Sequence, residues 1–417
     1  MLPLAVTIAL RHLGKRRRQT LISVLGVALG VGFFIGMTSL MRGFQTYFVA
    51  QVIDVAPHIT IKDEYRTPRI QPAVLAHEDG AVAVRGVKPR SELRGIRDAR
   101  ATIAALEEWP GVAVAPGLRA AVLLRYGARD VTATLAGIEP AREVRVGNIE
   151  KDMIAGKLDD LRSTANGIIL GIGLAERLGA GMGDTITATS PTGAALSFKV
   201  VGLVATGIAS IDNGEASVLL KVAQVLQGRP NVINAIRLRL ADVTQAETLA
   251  RRIERAYGYR TESWEEANKN VLSLFVIQNG IMFSVVGAIL LVAAFGIYSI
   301  ISTVVHEKAR DIAILKSLGF TEGDILRIFT IEGLLVGTAG AIAGALIGEA
   351  IIFGLGQVKF EQAGGIIRGS GGFILARELW PYIAGGIFAV LASAVAAFVP
   401  ARRAAALNPV DIVRGAA

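Results

Sequence analysis

The sequence predicts an α-helical membrane protein with four transmembrane helices and a large mixed α/β extracytoplasmic domain between the first and the second. Hydrophobic residues make up 52% of the 417 residues and charged residues only 19%, whereas a soluble domain is about 25% charged. The apolar residues concentrate in four long runs, and the segment between the first two runs has the period-two alternation of β-strands. Membrane-crossing helices and a water-exposed domain therefore share the chain.

Four apolar runs have the length of membrane-crossing helices, because a bilayer core of about 30 Å needs about 20 such residues. The first run is longer than the apolar part of a secretory signal and no small-residue cleavage site follows it, which favours an uncleaved anchor. The second is so long that part of it must stand outside the lipid. The predicted spans are TM1 at 20–41, TM2 with a periplasmic stalk at 271–305, TM3 at 328–357 and TM4 at 379–401.

Lys and Arg residues indicate how these spans are oriented. They cluster before the first span, between the second and third, and after the fourth, and positively charged loops remain in the cytoplasm. Both termini are therefore predicted to be cytoplasmic, and the net charge of +9 reflects loops that meet anionic lipid, not a nucleic-acid site. The remaining segments are a cytoplasmic amphipathic helix at 1–19, an α/β domain of two subdomains at 42–270, a cytoplasmic helical loop at 306–327, an outer loop at 358–378 and a cytoplasmic tail at 402–417.

Glycine accounts for 47 residues, and many of them recur every fourth position in TM1 and TM3. Small residues at this spacing let helices approach closely. Two interpretations stay open: simple packing within one chain, or faces along which helices slide or separate. The glycines expected to pack helices are Gly26, Gly30, Gly32, Gly36, Gly340, Gly344 and Gly348.

Two acidic residues interrupt the third span, and ionisable groups inside a membrane are costly enough to suggest a role. Glu332 is expected near the inner surface, where its side chain would snorkel or cap a helix. Glu349 is expected near the outer interface. Neither residue makes a proton relay by itself.

The α/β domain is predicted from alternation and turn residues. Residues 236–240 alternate Ile or Leu with Arg, which indicates a strand with one buried face. A helix follows, with Asp242 and Gln245 at capping-box spacing. A hairpin is predicted from 185–189 and 197–204 around a Pro-Thr-Gly turn.

The sequence offers no catalytic constellation. It has no cysteine, four scattered histidines and no nucleophile–base pair, so no catalytic residue and no metal site are predicted. The phosphate-binding motif G-x-x-x-x-G-K-[ST] is also missing from the sequence. The chain is therefore expected to be no enzyme and to carry no cofactor of its own.

The loop after the second span predicts a short amphipathic helix. Gly319 stands where a left-handed C-terminal cap would be, and Thr321 with Asp324 forms an acidic variant of the capping box that starts the third long helix. The loop is either a plain connection between spans or a docking element for a cytoplasmic partner.

Several stretches of the sequence resemble the permease subunits of lipoprotein-releasing ABC transporters, in the macrolide-exporter-like mechanotransmission class. They include NGIILGIGLAERLGAGMGD at 166–184, EKARDIAILKSLGF at 307–320, DILRIFTIEGLLVG at 324–337 and PARRAAALNPVDIVR at 400–414. The resemblance implies a multi-pass protein of the bacterial inner membrane. It also implies two copies of a separate ATPase subunit holding ATP and Mg, a second permease that is the same chain or a paralogue, a lipoprotein substrate and a periplasmic carrier.

The same resemblance implies two sets of site residues. The inner loop would be a coupling helix that docks on the ATPase through Glu307, Lys308, Arg310, Asp311, Ile314, Lys316, Leu318 and Gly319. A lipid-anchored substrate would enter between the first span of one permease and the second span of the other. The candidate cavity residues are Phe33, Phe34, Met37, Leu40, Met41, Ile277, Ile281, Met282 and Val285, although bulky apolar groups also serve ordinary packing or lipid contact.

Two other functions fit the same architecture. One is mechanotransmission export of a small molecule, peptide or lipid from the periplasm. The other is signalling, in which the outer domain activates a cell-wall hydrolase without transport. The size of the predicted outer domain favours transport over signalling.

Overall fold

The computed structural model describes residues 4–15, 17–66, 95–358 and 373–407. Most of the predicted outer loop and residues 408–417 of the predicted tail lie outside the described residues. The chain forms two compact units. The helical unit contains the described residues of 1–47, 273–361 and 370–417, and the sheet unit contains those of 48–272.

The described residues form fourteen α-helices. In chain order they are α1 Leu4–Lys15, α2 Arg17–Val55, α3 Ala99–Glu107, α4 Pro140–Val146, α5 Asp160–Ser163, α6 Ile172–Leu178, α7 Ala209–Asp212, α8 Leu220–Leu226, α9 Ala246–Tyr257, α10 Trp264–Ala267, α11 Lys269–Glu307, α12 Ala309–Ser317, α13 Glu322–Gln357 and α14 Trp380–Ala405.

Ten β-strands are described, all between α2 and α10. They are β1 Ile59–Lys62, β2 Val112–Tyr126, β3 Arg129–Ile138, β4 Met153–Gly156, β5 Gly167–Gly171, β6 Thr185–Thr189, β7 Ala195–Val204, β8 Glu215–Leu219, β9 Ala235–Leu240 and β10 Thr261–Ser263.

Four of the helices, α2, α11, α13 and α14, are long and apolar enough to cross a membrane. They lie at the four predicted spans and support that layout by their length and composition. α2 continues well beyond Met41, where the predicted first span ends, because the residues from Arg42 to Val55 are polar enough to end an apolar run but contain no proline. The helix ends just before Pro57, since the residue preceding proline disfavours helical backbone.

The start of α13 has the predicted capping box. The Thr321 hydroxyl accepts a hydrogen bond from the Asp324 N–H, and the Asp324 carboxylate accepts one from the Thr321 N–H at 3.0 Å. Gly319 has a φ of 100° and turns the chain between α12 and α13, a backbone conformation that side chains other than glycine's rarely tolerate.

The sheet unit is built on one ten-stranded mixed sheet. Its strand order is β10-β1-β9-β2-β3-β8-β5-β7-β4, and β6 pairs with β2 and β7. β3 with β8 and β5 with β7 are parallel pairs, and the other pairs are antiparallel. The predicted hairpin is present as β6 and β7, paired from Thr185↔Lys199 to Thr189↔Ala195.

Two large hydrophobic clusters cover this sheet. One joins β1 and β9 to α3 and α9 through residues such as Ile59, Leu106 and Ile253. The other joins β2, β3, β5 and β7 to α6 and α8 and contains the fully buried Phe198. Helices on the sheet therefore bury the alternating apolar side chains that the sequence pattern indicates.

The predicted capping box at Asp242 and Gln245 is wrong. The Asp242 carboxylate accepts hydrogen bonds from the Thr244 N–H at 3.0 Å and from the Gln245 side-chain amide at 2.8 Å. Residues 243–245 form a 3₁₀ turn, and α9 begins only at Ala246. The Gln245 amide is thus bonded to the side chain of Asp242 and not to its backbone, as a capping box would require.

Candidate functional site

Helix α12 presents one exposed surface. Five of the side chains that the resemblance assigns to docking are exposed, and Gly319 is exposed with them: the set is Glu307, Arg310, Asp311, Ile314, Leu318 and Gly319. Leu318 is 74% exposed and Ile314 51%, which is unusual for large apolar side chains so close together. Lys308 is half-buried and forms an ion pair with Asp311 one turn away. The surface combines charges of both signs with apolar side chains.

The opposite side of α12 is fixed to the helical unit. Ile312 and Ala313 are buried in the helical core. The Lys316 ammonium donates hydrogen bonds to the carbonyls of Ala405 at 2.8 Å and Leu407 at 2.9 Å, at the C-terminal end of α14. The last carbonyls of a helix lack intrahelical partners and carry partial negative charge, so they attract a cation.

The placement of Lys316 corrects the docking set. Its side chain is only 13% exposed, and its ammonium is already engaged by the end of α14. Lys316 therefore holds α12 in place and does not contribute a free cation to the exposed surface.

The glycines of α2 and α13 lie where the two helices interlock. A Cβ at Gly340, Gly344 or Gly348 would come within 2.6 to 2.8 Å of Val27, Val31 or Ile35 on α2. Conversely, a Cβ at Gly32 or Gly36 would lie 2.7 or 2.8 Å from the side chains of Ile347 or Ile351 on α13. These distances are shorter than any normal carbon–carbon contact. Each helix therefore inserts branched side chains into the glycine gaps of the other.

The two glycine pairs of the first long helix serve different neighbours. Gly26 and Gly30 face α11, where a Cβ would lie 3.9 Å from Ala293 and 3.2 Å from Ile289 and Leu290, respectively. The glycine contacts of α2 with α13 are thus tight, whereas its glycine contacts with α11 are looser. Gly333 and Gly337, on another face of α13, pack against Ala397 and Ser393 of α14.

The candidate cavity residues fall into two groups. Phe33, Ile277, Ile281 and Val285 are between 40% and 61% exposed. Met37, Leu40 and Met41 are half-buried.

Phe34 and Met282 do not belong to that surface, since each is only 6% exposed. The Phe34 ring meets Trp380 edge-on at a centroid distance of 6.1 Å and lies 6.4 Å from Phe283. The Met282 sulfur accepts a hydrogen bond from the Thr38 hydroxyl at 3.7 Å. Both residues therefore pack inside this chain.

Glu332 does not snorkel, because its side chain is only 5% exposed and faces His12 of α1, with 3.6 Å between Oε2 and Nδ1. The two residues line a cavity of about 20 Å³ with Ser23. Within the described chain, His12 Nδ1, Ser23 Oγ and Glu332 Oε2 make no hydrogen bond.

His12 is a residue that the sequence does not single out. It lies on an amphipathic helix among apolar residues, and nothing in the pattern of α1 pairs it with an acid in α13. The only sequence signal is the buried acid itself, since an ionisable group in an apolar helix needs a partner. At the other end of α13, Glu349 accepts a hydrogen bond from the Tyr382 hydroxyl at 2.6 Å and lies 3.7 Å from Arg377.

The described residues contain no group of three or more His, Asp or Glu side chains that could hold a metal ion. The exposed candidate residues lie on the face of α12 and on α2 and α11.

Comparison with known proteins assigns the chain to a family. Residues 20–256 match the MacB-like periplasmic core domain, and residues 283–409 match the FtsX-like permease C-terminal domain. The lipoprotein-releasing system transmembrane protein LolC of Neisseria meningitidis serogroup B is 30% identical, over 99% of this chain and all of the relative. The chain belongs to the lipoprotein-releasing permease family. The resemblance seen in the sequence motifs is thereby confirmed.

The chain is also similar to more distant proteins. The macrolide export ATP-binding/permease protein MacB of a Shewanella species is 22% identical over 98% of this chain, but the match covers only 60% of that relative. The crystal structure of the periplasmic region of MacB from Actinobacillus actinomycetemcomitans is 14% identical, covers 51% of this chain and 91% of that structure, and has a TM-score of 0.32. The family assignment rests on the full-length match to the permeases.

Proposed function

We propose that this chain is the permease subunit of an ABC transporter that extracts lipoproteins from the inner membrane toward a periplasmic carrier. ATP would be hydrolysed by a separate subunit. The observation that carries the proposal is the exposed face of α12 on a helix anchored by Lys316 and Ile312. The full-length identity with a lipoprotein-releasing permease supports the choice of substrate.

A separate ATPase is supported by the sequence and by the relatives. The chain lacks the glycine-rich phosphate loop, and it spans only 60% of a relative whose name includes an ATP-binding part. Two ATPase copies with ATP and Mg, and a second permease that is this chain or a paralogue, would complete the transporter. Both termini of this chain would be cytoplasmic, as the distribution of Lys and Arg favours.

The contacts within the helical unit suggest how motion would spread. Movement of the ATPase subunits would displace α12, and the hydrogen bonds of Lys316 would pass the displacement to α14. The interlocked α2 and α13 would move together because their side chains fill each other's glycine gaps. Each lateral entrance for the acyl chains of the substrate would then lie between α2 of one permease and α11 of the other. The exposed Phe33 of this chain would line one entrance, and its exposed Ile277, Ile281 and Val285 would line the other.

Export of a small molecule, peptide or lipid is the second candidate. It is favoured by the similarity to macrolide exporters, which is weaker than that to the lipoprotein-releasing permeases. Signalling through a cell-wall hydrolase stays a third hypothesis.

The docking role of α12 can be tested with the double variant Arg310→Glu, Asp311→Arg. Both side chains are exposed, so the fold should survive while the charge pattern offered to the ATPase is reversed. We expect the ATPase subunit to stop copurifying and the stimulation of its activity to fall by about ten-fold or more. The control is Arg100→Glu on the sheet unit, which is also exposed and should change neither readout. Unaltered copurification and stimulation in the double variant would rule out the docking assignment.

The substrate can be tested separately in proteoliposomes that contain the complete transporter. Triacylated lipoprotein should stimulate ATP hydrolysis and pass to a soluble carrier on the outer side. If lipoprotein does not change the ATPase activity of the complex and none is released to the carrier, the lipoprotein function is excluded and export is favoured.

A further inference from the structure

His58 lies in the sheet unit at the start of β1 and is only 4% exposed. Its backbone joins two other elements. The His58 N–H donates to the Leu238 carbonyl of β9 at 2.9 Å, and the His58 carbonyl accepts from the N–H of Trp264, the first residue of α10, at 2.9 Å. α10 leads directly into α11.

The imidazole ring makes two further hydrogen bonds. Nδ1 accepts from the Leu240 N–H at 3.1 Å, and Nε2 lies 3.2 Å from the Ile53 carbonyl in the last turn of α2. Because Nδ1 faces a donor, it must be unprotonated, so Nε2 carries the proton and donates it to Ile53. The ring is therefore held as the neutral Nε2–H tautomer.

Pro57 explains why a side chain is needed at this point. In a continuing helix, the Ile53 carbonyl would accept from the N–H of residue 57, but proline has no N–H. The His58 ring supplies the missing donor. One residue thus joins the end of α2, the end of β9 and the beginning of the segment that enters α11.

Burial, more than the surrounding charges, favours the neutral form of the ring. Burial is the main cause that lowers the pKa of His58, and the nearby Arg239 lowers it further, whereas Glu265 acts in the opposite direction. Asp54 on α2 lies 3.5 Å from Arg239 and partly offsets its charge. Protonation of Nδ1 would direct an N–H at the Leu240 N–H and break that hydrogen bond.

We propose that His58 is a positioning residue that holds the end of α2, and the short helix α10 that leads into α11, against the sheet, so that displacement of α2 and α11 moves the sheet. This inference rests on the proposed function, which supplies the ATP-driven displacement. Arg239 adds a second connection, because it donates to the Asp54 carbonyl at 3.0 Å. Neither connection involves a group that would contact the substrate.

The test compares His58→Phe with His58→Asn in the complete transporter. Phenylalanine fills the space but loses both ring hydrogen bonds, whereas the asparagine carbonyl can still accept from the Leu240 N–H. We expect His58→Phe to hydrolyse ATP normally and to release about ten-fold less lipoprotein per ATP, because a buried donor and acceptor are left unpaired. His58→Asn should recover part of the release.

The pH profile separates this role from a purely structural one. A neutral form favoured by a lowered pKa is fully present above the ordinary pKa of histidine and is lost as the pH falls through the lowered value. Release per ATP by the wild type should therefore be constant from pH 8 down to the ordinary pKa of histidine and fall only at more acid pH. Release per ATP by His58→Asn should not show this fall at acid pH.

Hydrogen exchange provides a readout that does not depend on the substrate. In the wild-type complex, trapping of the nucleotide should change the exchange of residues 235–241, and His58→Phe should abolish this change while the hairpin at 185–204 keeps its protection. An unchanged nucleotide response in a folded His58→Phe, or no response in the wild type, would overturn the proposal. If His58→Phe does not fold, the proposal is overturned when release per ATP by His58→Asn still falls at acid pH. Failure of the wild type to release lipoprotein would refute the proposed function, and the exchange data would still decide the role of His58.

Discussion

Helices α2 and α11 are both 39 residues long and both are apolar enough to cross a membrane, yet the chain packs them differently. Half of the most apolar stretch of α2 is buried, against 28% of that of α11. Gly32 and Gly36 of α2 receive side chains of α13, whereas a Cβ at Gly280, Gly287 or Gly296 of α11 would meet nothing within 4 Å. Glycine therefore permits close helix packing in α2, whereas these three glycines of α11 face no neighbouring atom within the described residues.

This difference shows that α2 is packed mainly within this chain, whereas α11 exposes much of its surface. α2 and α13 behave as one body, because neither can shift along the other without moving branched side chains out of glycine gaps. α11 keeps large apolar side chains such as Leu274, Ile281 and Phe295 between 60% and 65% exposed. In a membrane this face remains available to lipid, to a second permease or to an acyl chain.

The largest effect is expected from Gly344→Leu, which would break the packing of α2 on α13. Its Cβ would lie 2.6 Å from the Val31 Cβ and 2.9 Å from the Ala28 carbonyl oxygen, a backbone atom that cannot rotate away. We expect a loss of about 3 kcal/mol or more, seen as a lower thermal midpoint of the purified complex. The matched control is Gly287→Leu on α11, where space is open. Equal midpoints for the two variants would show that the two helices are packed alike.

An intermediate effect is expected when the exposed face of α11 is trimmed by Ile281→Ala. Ile281 is 61% exposed, so the fold should keep its stability while the lateral entrance loses apolar contact. We expect lipoprotein release to fall by about three-fold, as removal of partly buried methyl groups implies. Val292→Ala, at a position that is 70% exposed on the same helix but outside the proposed entrance, serves as the control. If both variants release equally well, the entrance lies elsewhere.

The smallest effect is expected from Gly296→Ala. With no neighbouring atom within 4 Å, the added methyl group should only improve helix propensity, by up to about 1 kcal/mol. The thermal midpoint of the isolated chain should rise slightly or stay the same. Destabilisation seen in the assembled transporter but not in the isolated chain would show that a partner packs tightly on this face.

Local patterns predicted much of the fold. Four apolar runs, the β6–β7 hairpin and the Thr321–Asp324 capping box depend on residues close in sequence, and the structure shows them. The end of α2 was not predicted from hydropathy, because that signal stops at Arg42 whereas the helix stops only before Pro57. A charged residue ends an apolar run, but it does not end a helix.

Local sequence patterns could not predict contacts between residues that are far apart in the sequence. Lys316 is engaged by carbonyls of Ala405 and Leu407, which an exposed-loop interpretation of its segment does not suggest. The four-residue glycine spacing in α2 indicates close approach of helices, but it does not tell that Gly32 faces α13 while Gly30 faces α11. Those assignments depend on the rotation of each helix, which only packing determines.

The strands β1 and β10, the first and last strands of the sheet, are antiparallel neighbours with Ile59 opposite Ser263. The chain therefore enters and leaves the sheet at points about 5 Å apart, the spacing of adjacent strands. An insertion with such closely spaced ends can grow, shrink or be exchanged for another without moving the two points of attachment. The sheet unit can thus diversify in evolution, or be grafted by design, while the helices that carry it stay unchanged.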